Sequence, residues 1–159
     1  MFRLDGKVAL ITGASGGLGD KIARTLHAQG AKIALTDMRA EPMEKLKAEL
    51  GDDVEVFVAN LSDADAIKQL VSDVEAKFGQ IDILVNNAGL TRDNLFMRMS
   101  DDEWQLVLDV NLSAGFKLAR GVIRGMMKRR FGRIIGIASV VGVMSPHLPS
   151  SFPRLCQGP

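Results

Sequence analysis

The chain has 159 residues, with 20 Lys+Arg against 19 Asp+Glu for a formal net charge of +1, and is 47% hydrophobic and 25% charged. That composition excludes a disordered chain, and the length suits one domain better than two. The single cysteine, Cys156, excludes an intrachain disulfide framework, and no apolar run reaches the ~18 residues of a membrane span.

Val8-Ala9-Leu10-Ile11 is a continuous apolar run stopping at Thr12-Gly13, which predicts a strand buried on both faces. Leu18, Ile22, Ala23 and Leu26 recur at helical spacing, so a helix is expected over 18–29, stopped by Gly30 at its C′ position. Lys32–Thr36 is a second strand. Pro42 is expected to open a second helix, which reaches Leu50 before Gly51. Val54–Ala59 is a third strand. Ser62, with Asp65 three residues on, reads as the N-cap of a helix ending at Phe78-Gly79. Asp82–Asn86 is a fourth strand. Ser100-Asp101-Asp102-Glu103 is a capping box opening one long helix to about Arg130, with Gly132 as its stop. Arg133–Ser139 is a fifth strand.

Strands alternating with helices imply βαβ units, hence an α/β fold with a doubly wound parallel sheet. The pattern fails after Val143. Residues 144–159 contain Pro146, Pro149 and Pro153, each removing a backbone donor, and are expected to be an irregular tail. One domain is expected over 1–143, with no linker or internal repeat.

Thr12-Gly13-Ala14-Ser15-Gly16-Gly17-Leu18-Gly19 lies between the first strand and the first helix. Glycines there let the backbone approach a phosphate, and a helix N-terminus offers it free N–H donors. Asp37 ends the second strand, where a carboxylate accepts hydrogen bonds from ribose hydroxyls and repels a 2′-phosphate. Arg39 points the other way, since it can pair with that phosphate. With Gly16 in place of a basic residue in the glycine loop, NAD(H) is favoured over NADP(H). No C-x-x-C or H-E-x-x-H occurs and His27 and His147 are far apart, so no metal site is expected.

The glycine run, Asn86-Asn87-Ala88-Gly89, Asn111 and Ile137-Ala138-Ser139 together resemble the short-chain dehydrogenase/reductase family. Phe96-Met97-Arg98-Met99-Ser100, Asp109-Val110-Asn111-Leu112-Ser113, Gly132-Arg133-Ile134-Ile135 and Ser139-Val140-Val141-Gly142 are most similar to the 3-oxoacyl-[acyl-carrier-protein] reductases of bacterial fatty-acid synthesis. The likeness spans residues 1 to about 143. It implies a Rossmann-like fold, here incomplete: five strands, without the last strands and helices of the family.

The resemblance also implies roles. Gly13, Gly17 and Gly19, with Ser15, Gly16 and Leu18, would surround the pyrophosphate of NAD(P)H. Asp37 and Arg39 would meet the adenosine ribose. Asn60 and Leu61 would flank the adenine, Asn60 standing where the family usually has Asp. Asn86, Asn87, Ala88 and Gly89 would lie beneath the nicotinamide ribose. Asn111 would hold a water of the proton relay, and Ser139 would position the substrate carbonyl. The family's proton donor is a tyrosine, supported by a lysine four residues later. Counted without gaps from Ser139, those slots hold Phe152 and Cys156. The chain contains no tyrosine at all and no lysine after Lys128. Phe152 has no O–H to give. The chain is therefore expected to be catalytically incompetent alone, as the product of a truncated or frameshifted reading frame, with its fifth strand left as an open edge.

Charge is unevenly spread. Residues 110–159 hold 8 basic side chains and no acid, against 12 basic and 19 acidic before them. Lys117, Arg120, Arg124 and Lys128 form one helical stripe, with Arg129, Arg130 and Arg133 near its end. By the resemblance, Lys128, Arg129 and Arg130 would face the acidic acyl carrier protein, and helix 101–130 would pair with a second copy. Trp104, Val107, Leu108, Leu118, Val122 and Met126 read as the opposite, apolar face, either core or dimer surface. Nucleic acid fits poorly, because no aromatic side chains interleave with the charge. No membrane association is expected, and the N-terminus has no signal-peptide pattern, so a cytoplasmic protein is expected.

Overall fold

The computed structural model describes residues 3–92 and 96–139. Five strands form one wholly parallel sheet: β1 Val8–Thr12, β2 Lys32–Asp37, β3 Val54–Val58, β4 Ile83–Asn86 and β5 Arg133–Gly136, in the order β3-β2-β1-β4-β5. The chain winds outward from β1 to β3, returns to the middle at β4 and winds the other way. The α/β doubly wound sheet expected from the alternation is thus present.

Period-two alternation divides the core in two. Val8, Leu10 and Leu84 point to one face, against Ile67, Leu70 and Val74 of α3 (Ala64–Phe78) and Leu118, Val122 and Met126 of α5 (Ala114–Arg129). Ala9, Ile11, Ile33, Leu35 and Val85 point to the other, against Ala23 of α1 (Gly17–Ala28) and Met43 and Leu46 of α2 (Ala40–Leu50). Each fully buried large aliphatic side chain contributes about 1.5–3 kcal/mol.

Several element ends differ from expectation. The N-cap of α3 is Asp63, not Ser62: its carboxylate accepts from the N–H groups of Asp65 and Ala66, while the Ser62 hydroxyl is turned to Asn60 Oδ1. α2 begins at Ala40, so Pro42 is its third residue, still within the first turn where a missing N–H costs nothing. Gly132 does not end the long helix. Arg130 does, in the left-handed conformation at φ 53° and ψ 30°. Gly132 is needed for a different reason, since a Cβ there would stand 2.6 Å from Met126 Cγ. β5 stops at Gly136 rather than Ser139, with only the Ile137 N–H continuing the ladder, to Asn86 O at 2.9 Å.

The long helix is not continuous. α4 (Asp101–Leu108) keeps the expected Ser100–Glu103 capping box, but Asp109–Ser113 form a π turn before α5. α5 also buries Leu118, Val122 and Met126 while leaving Phe116, Ile123 and Met127 exposed along a second stripe, which Leu112 of the π turn continues. Trp104, assigned to the apolar face, is 40% exposed, and α4 contains no buried residue.

The two sheet edges are built differently. On β3, Glu55 is held by Lys47 of α2 and by Lys77 of α3, the latter at 2.7 Å. Ile134 and Ile135 of β5, and Ile137 just after it, are each more than two-fifths exposed, and among the described residues no strand pairs with the outer edge of β5. The hydrogen bond from Lys47, then that from Lys77, pulls the Glu55 carboxyl from 4.5 down to about 2. A depressed folded value means the stabilisation is complete above the unfolded value and lost as pH falls towards 2. The wild-type chain should lose about 1–2 kcal/mol over that window, a figure reduced for the partial exposure of both lysines. Glu55→Gln should flatten that slope in urea unfolding followed from neutral to acid pH.

Among the described residues no helix is long and apolar enough to cross a membrane, and no cluster of His, Cys, Asp and Glu can hold a metal ion.

Candidate dinucleotide site

The reversal of winding between β1 and β4 leaves a crevice at the carboxyl ends of the strands, where open α/β sheets receive ligands. Thr12 closes β1 there and is 1% exposed. Its hydroxyl donates to Val85 O at 3.2 Å and accepts from the N–H groups of Asn87 and Ala88 at 3.0 and 2.9 Å. The Asn87 amide donates back to Thr12 O and Gly13 O at 3.0 and 3.2 Å. One buried hydroxyl therefore fixes the loop after β4 against the loop after β1. Thr12→Val keeps the shape but leaves the Ala88 N–H unpaired, since the Asn87 N–H keeps Val85 O at 3.1 Å, and should cost about 1–3 kcal/mol in denaturant unfolding. Thr12→Ser should restore most of it.

The glycines divide the labour. Gly13 has φ +64°, and a Cβ there would lie 2.8 Å from Ala88 Cα. Gly19 is buried, and its Cβ would lie 2.8 Å from Ala14 Cα. These two serve the turn and close backbone packing. Gly17 has nothing within 4 Å of its Cβ position, so it leaves the backbone approachable. The N-cap of α1, Gly16, makes no side-chain cap bond, which leaves first-turn N–H donors for an incoming anion. The exposed Leu18 follows Gly17 on this first turn.

Asp37 ends β2 with its carboxylate accepting from Ser15 N–H at 3.4 Å and Arg39 N–H at 3.2 Å. The Arg39 guanidinium donates to Ser15 Oγ at 2.8 Å, with its Nε 3.9 Å from Asp37. Arg39 is thus folded over the glycine loop. Asn60 accepts from Ser62 N–H and Oγ–H through Oδ1, which leaves its NH2 to donate elsewhere. Asp37, Asn60, Leu61, Ala88 and Gly89 line a cavity of about 150 Å³. A second, of about 260 Å³, includes Thr12, Asn86, Asn111, Gly115 and Ile137. The two share Leu61, Ala88 and Val110, so they adjoin, and together they line the strand ends from β2 across to β5.

Asn111 lies in the π turn, and both ends of its amide are engaged. Its Oδ1 accepts from Leu90 N–H and its Nδ2 donates to Leu90 O, both at 2.9 Å. This reciprocal pair ties the loop after β4 to the helix layer and gives the polar residue its reason for sitting in an apolar helix. Ser139 is exposed, three residues beyond β5. Phe152, Cys156 and the expected tail lie outside the described residues. Thr12 and Leu90 carry much of this geometry, yet sequence reasoning gave neither a role. A threonine ending an apolar strand was the available signal for Thr12, and Leu90 acts only through its backbone.

Of the three basic residues assigned to a partner surface, Lys128 and Arg130 are exposed. Arg129 is not available. It donates to Ile81 O at 2.7 Å and lies 3.6 Å from the buried Asp82 carboxylate.

Comparison with known proteins places this geometry. A family model described as short chain dehydrogenase matches residues 7–151. Nodulation protein G of Rhizobium sp. (strain N33) is 58% identical over 143 residues, which are 90% of this chain and 58% of that protein. The 3-oxoacyl-[acyl-carrier-protein] reductase FabG of Escherichia coli (strain K12) is 48% identical over 140 residues, covering 88% and 57%. A metagenomic short-chain oxidoreductase solved in complex with NADP superposes with a TM-score of 0.83 at 37% identity, covering 87% of this chain and 65% of that one. This chain therefore spans under three-fifths of the length of these curated relatives, and in that span, with its parallel sheet and glycine-loop crevice, it belongs to the short-chain dehydrogenase family of oxidoreductases.

Proposed function

We propose that this chain is the dinucleotide-binding portion of a reductase acting on 3-oxoacyl thioesters carried on acyl carrier protein. The observation that carries the reading is the pair of adjoining cavities, one lined by Asp37 and the other by Asn111 and Ile137. The pyrophosphate of NAD(P)H would lie over Gly16, Gly17 and the first turn of α1. Asp37 would accept from the adenosine ribose hydroxyls, and Asn60 and Leu61 would flank the adenine. Asn87, Ala88 and Gly89, held by Thr12, would support the nicotinamide ribose. Bound there, the cofactor supplies the hydride. Asn111 fixes the neighbouring loop, and Ser139 would orient the carbonyl.

NADH is the preferred cofactor in this reading. The Asp37 carboxylate opposes a 2′-phosphate, and one arm of the Arg39 guanidinium is engaged with the Ser15 hydroxyl. Relatives named as FabG and nearly half identical support the substrate class. Exposed Lys128 and Arg130 supply positive charge for acyl carrier protein. The exposed stripe of Leu112, Phe116, Ile123 and Met127 suits pairing of α5 with a second copy. Turnover by this chain alone is not expected, since no tyrosine is present to protonate the carbonyl oxygen.

Titration with NADH and NADPH, read by nucleotide fluorescence, tests the reading. Saturable binding with NADH tighter is the expected result, and Asp37→Ala should narrow the difference. Absence of saturable binding by either nucleotide would refute the cofactor site. Loss of NADH absorbance with an acetoacetyl thioester, above the background rate, would refute the inactivity.

A further inference from the structure

The methionines divide sharply by exposure. Met43 and Met126 are closed in the core, whereas Met38, Met97 and Met127 are 67%, 92% and 71% exposed. A thioether is oxidised where a peroxide can reach its sulfur, so these three react and the two core residues are shielded. Met38 differs from the other two in what it stands beside. It follows Asp37 at the end of β2 and lines the cavity of about 150 Å³ with Asp37, Ala59, Asn60 and Leu61. Neither Met97 nor Met127 lines that cavity or the one adjoining it.

The backbone holds Met38 in this place. Asp37 O accepts from Ala59 N–H at 3.2 Å, and the Asp37 carboxylate accepts from Arg39 N–H at 3.2 Å. The chain is therefore pinned on both sides of Met38. Ala59 and Leu61 are buried, which makes Met38 the most exposed apolar side chain of the cavity wall.

We propose that Met38 is an oxidation site through which a hydroperoxide weakens nucleotide binding; this rests on the cofactor reading above. The peroxide O–O bond breaks, one oxygen is transferred to the Met38 sulfur, and the other leaves as water or an alcohol. Sulfur undergoes a two-electron oxidation and the peroxide the matching reduction. As a thioether, Met38 offers a purine ring an apolar, polarisable contact. As a sulfoxide it carries a hydrated acceptor oxygen, and a ring seated against it has to displace that water. Methionine sulfoxide reductases, one for each epimer, return the thioether.

The full chain is treated with hydrogen peroxide, cleared with catalase and titrated with NADH by nucleotide fluorescence, each protein being compared with its own untreated form. The Kd of the parent should rise about two- to tenfold. Incubation with both sulfoxide reductases should reverse the rise. Met38→Leu should show no rise, whereas Met97→Leu/Met127→Leu should show that of the parent. All of these chains keep the single cysteine, so its oxidation cannot produce that pattern. Peptide mass mapping supplies a second readout: saturating NADH should slow oxidation of Met38 and leave that of Met97 unchanged. Unaltered affinity after complete oxidation of Met38, an equal rise in Met38→Leu, or no protection of Met38 by NADH would overturn the proposal alone. Absence of saturable binding by the untreated parent would remove the cofactor reading, and this proposal with it.

Discussion

Gly13→Ala should abolish dinucleotide binding and lower stability together, whereas Gly17→Ala should remove binding alone. The contrast follows from what each Cβ would meet. At Gly13 the backbone is left-handed at φ +64°, and the new carbon would lie 2.8 Å from Ala88 Cα. Left-handed strain costs about 1–2 kcal/mol, and overpacking against backbone adds about 1–3. The sum, about 2–5 kcal/mol, would also displace the loop that Thr12 holds. At Gly17 the carbon meets nothing. Alanine is also the better helix former by about 1 kcal/mol, so stability should hold or rise slightly. The same carbon would stand where a phosphate approaches the backbone. Urea unfolding and NADH titration on both variants check the pair. If Gly17→Ala binds NADH as well as the parent, the pyrophosphate does not lie over this turn.

Asp82→Ala should be the most destabilising single change in the sheet. Asp82 stands just before β4, 1% exposed. Its carboxylate accepts from Val8 N–H at 3.0 Å and Gln80 Nε2 at 2.7 Å, with Arg129 Nε at 3.6 Å. Its backbone joins the same strands, donating to Val8 O and accepting from Arg133 N–H, both at 2.9 Å. One residue thus ties β1, β5 and the end of α5 together. Truncation leaves the half-buried Arg129 charge without its carboxylate and Val8 N–H without an acceptor, at a cost of about 3–5 kcal/mol. That approaches the whole stability of a domain of this size. Asp82→Asn keeps an acceptor oxygen and should lose roughly half as much. Thermal melts of both variants, beside Arg129→Met, would show whether the pair acts as a unit. Equal melting of Asp82→Ala and the parent would remove Asp82 from this role.

The strands were legible because buried parallel strands are short apolar runs, and Val8–Ile11 or Ile83–Val85 admit no other reading between glycine stops. The glycine turn and Asp37 were legible because backbone approach to a ligand restricts the residue types that can serve. Other features depend on partners distant in sequence. Arg129 looks like one more cation in a basic run, and only the packing of α5 beside β4 turns it towards Asp82. The π turn at Asp109–Ser113 contains Asn111, whose partner Leu90 is 21 residues away. Helical periodicity located a stripe on α5 but not how much of the helix the sheet covers, so Phe116 and Ile123 were left out of account. Local capping competition decided Asp63 over Ser62, because Asn60 claims the serine.

Among the described residues the two edges of the sheet are guarded unequally. Beside β3 stands a carboxylate gripped by two ammonium groups, and a fixed cluster of charge discourages a foreign strand from adding there. The described flank of β5 has no such guard, only isoleucines and backbone, so protection of that side has to come from something other than side-chain charge.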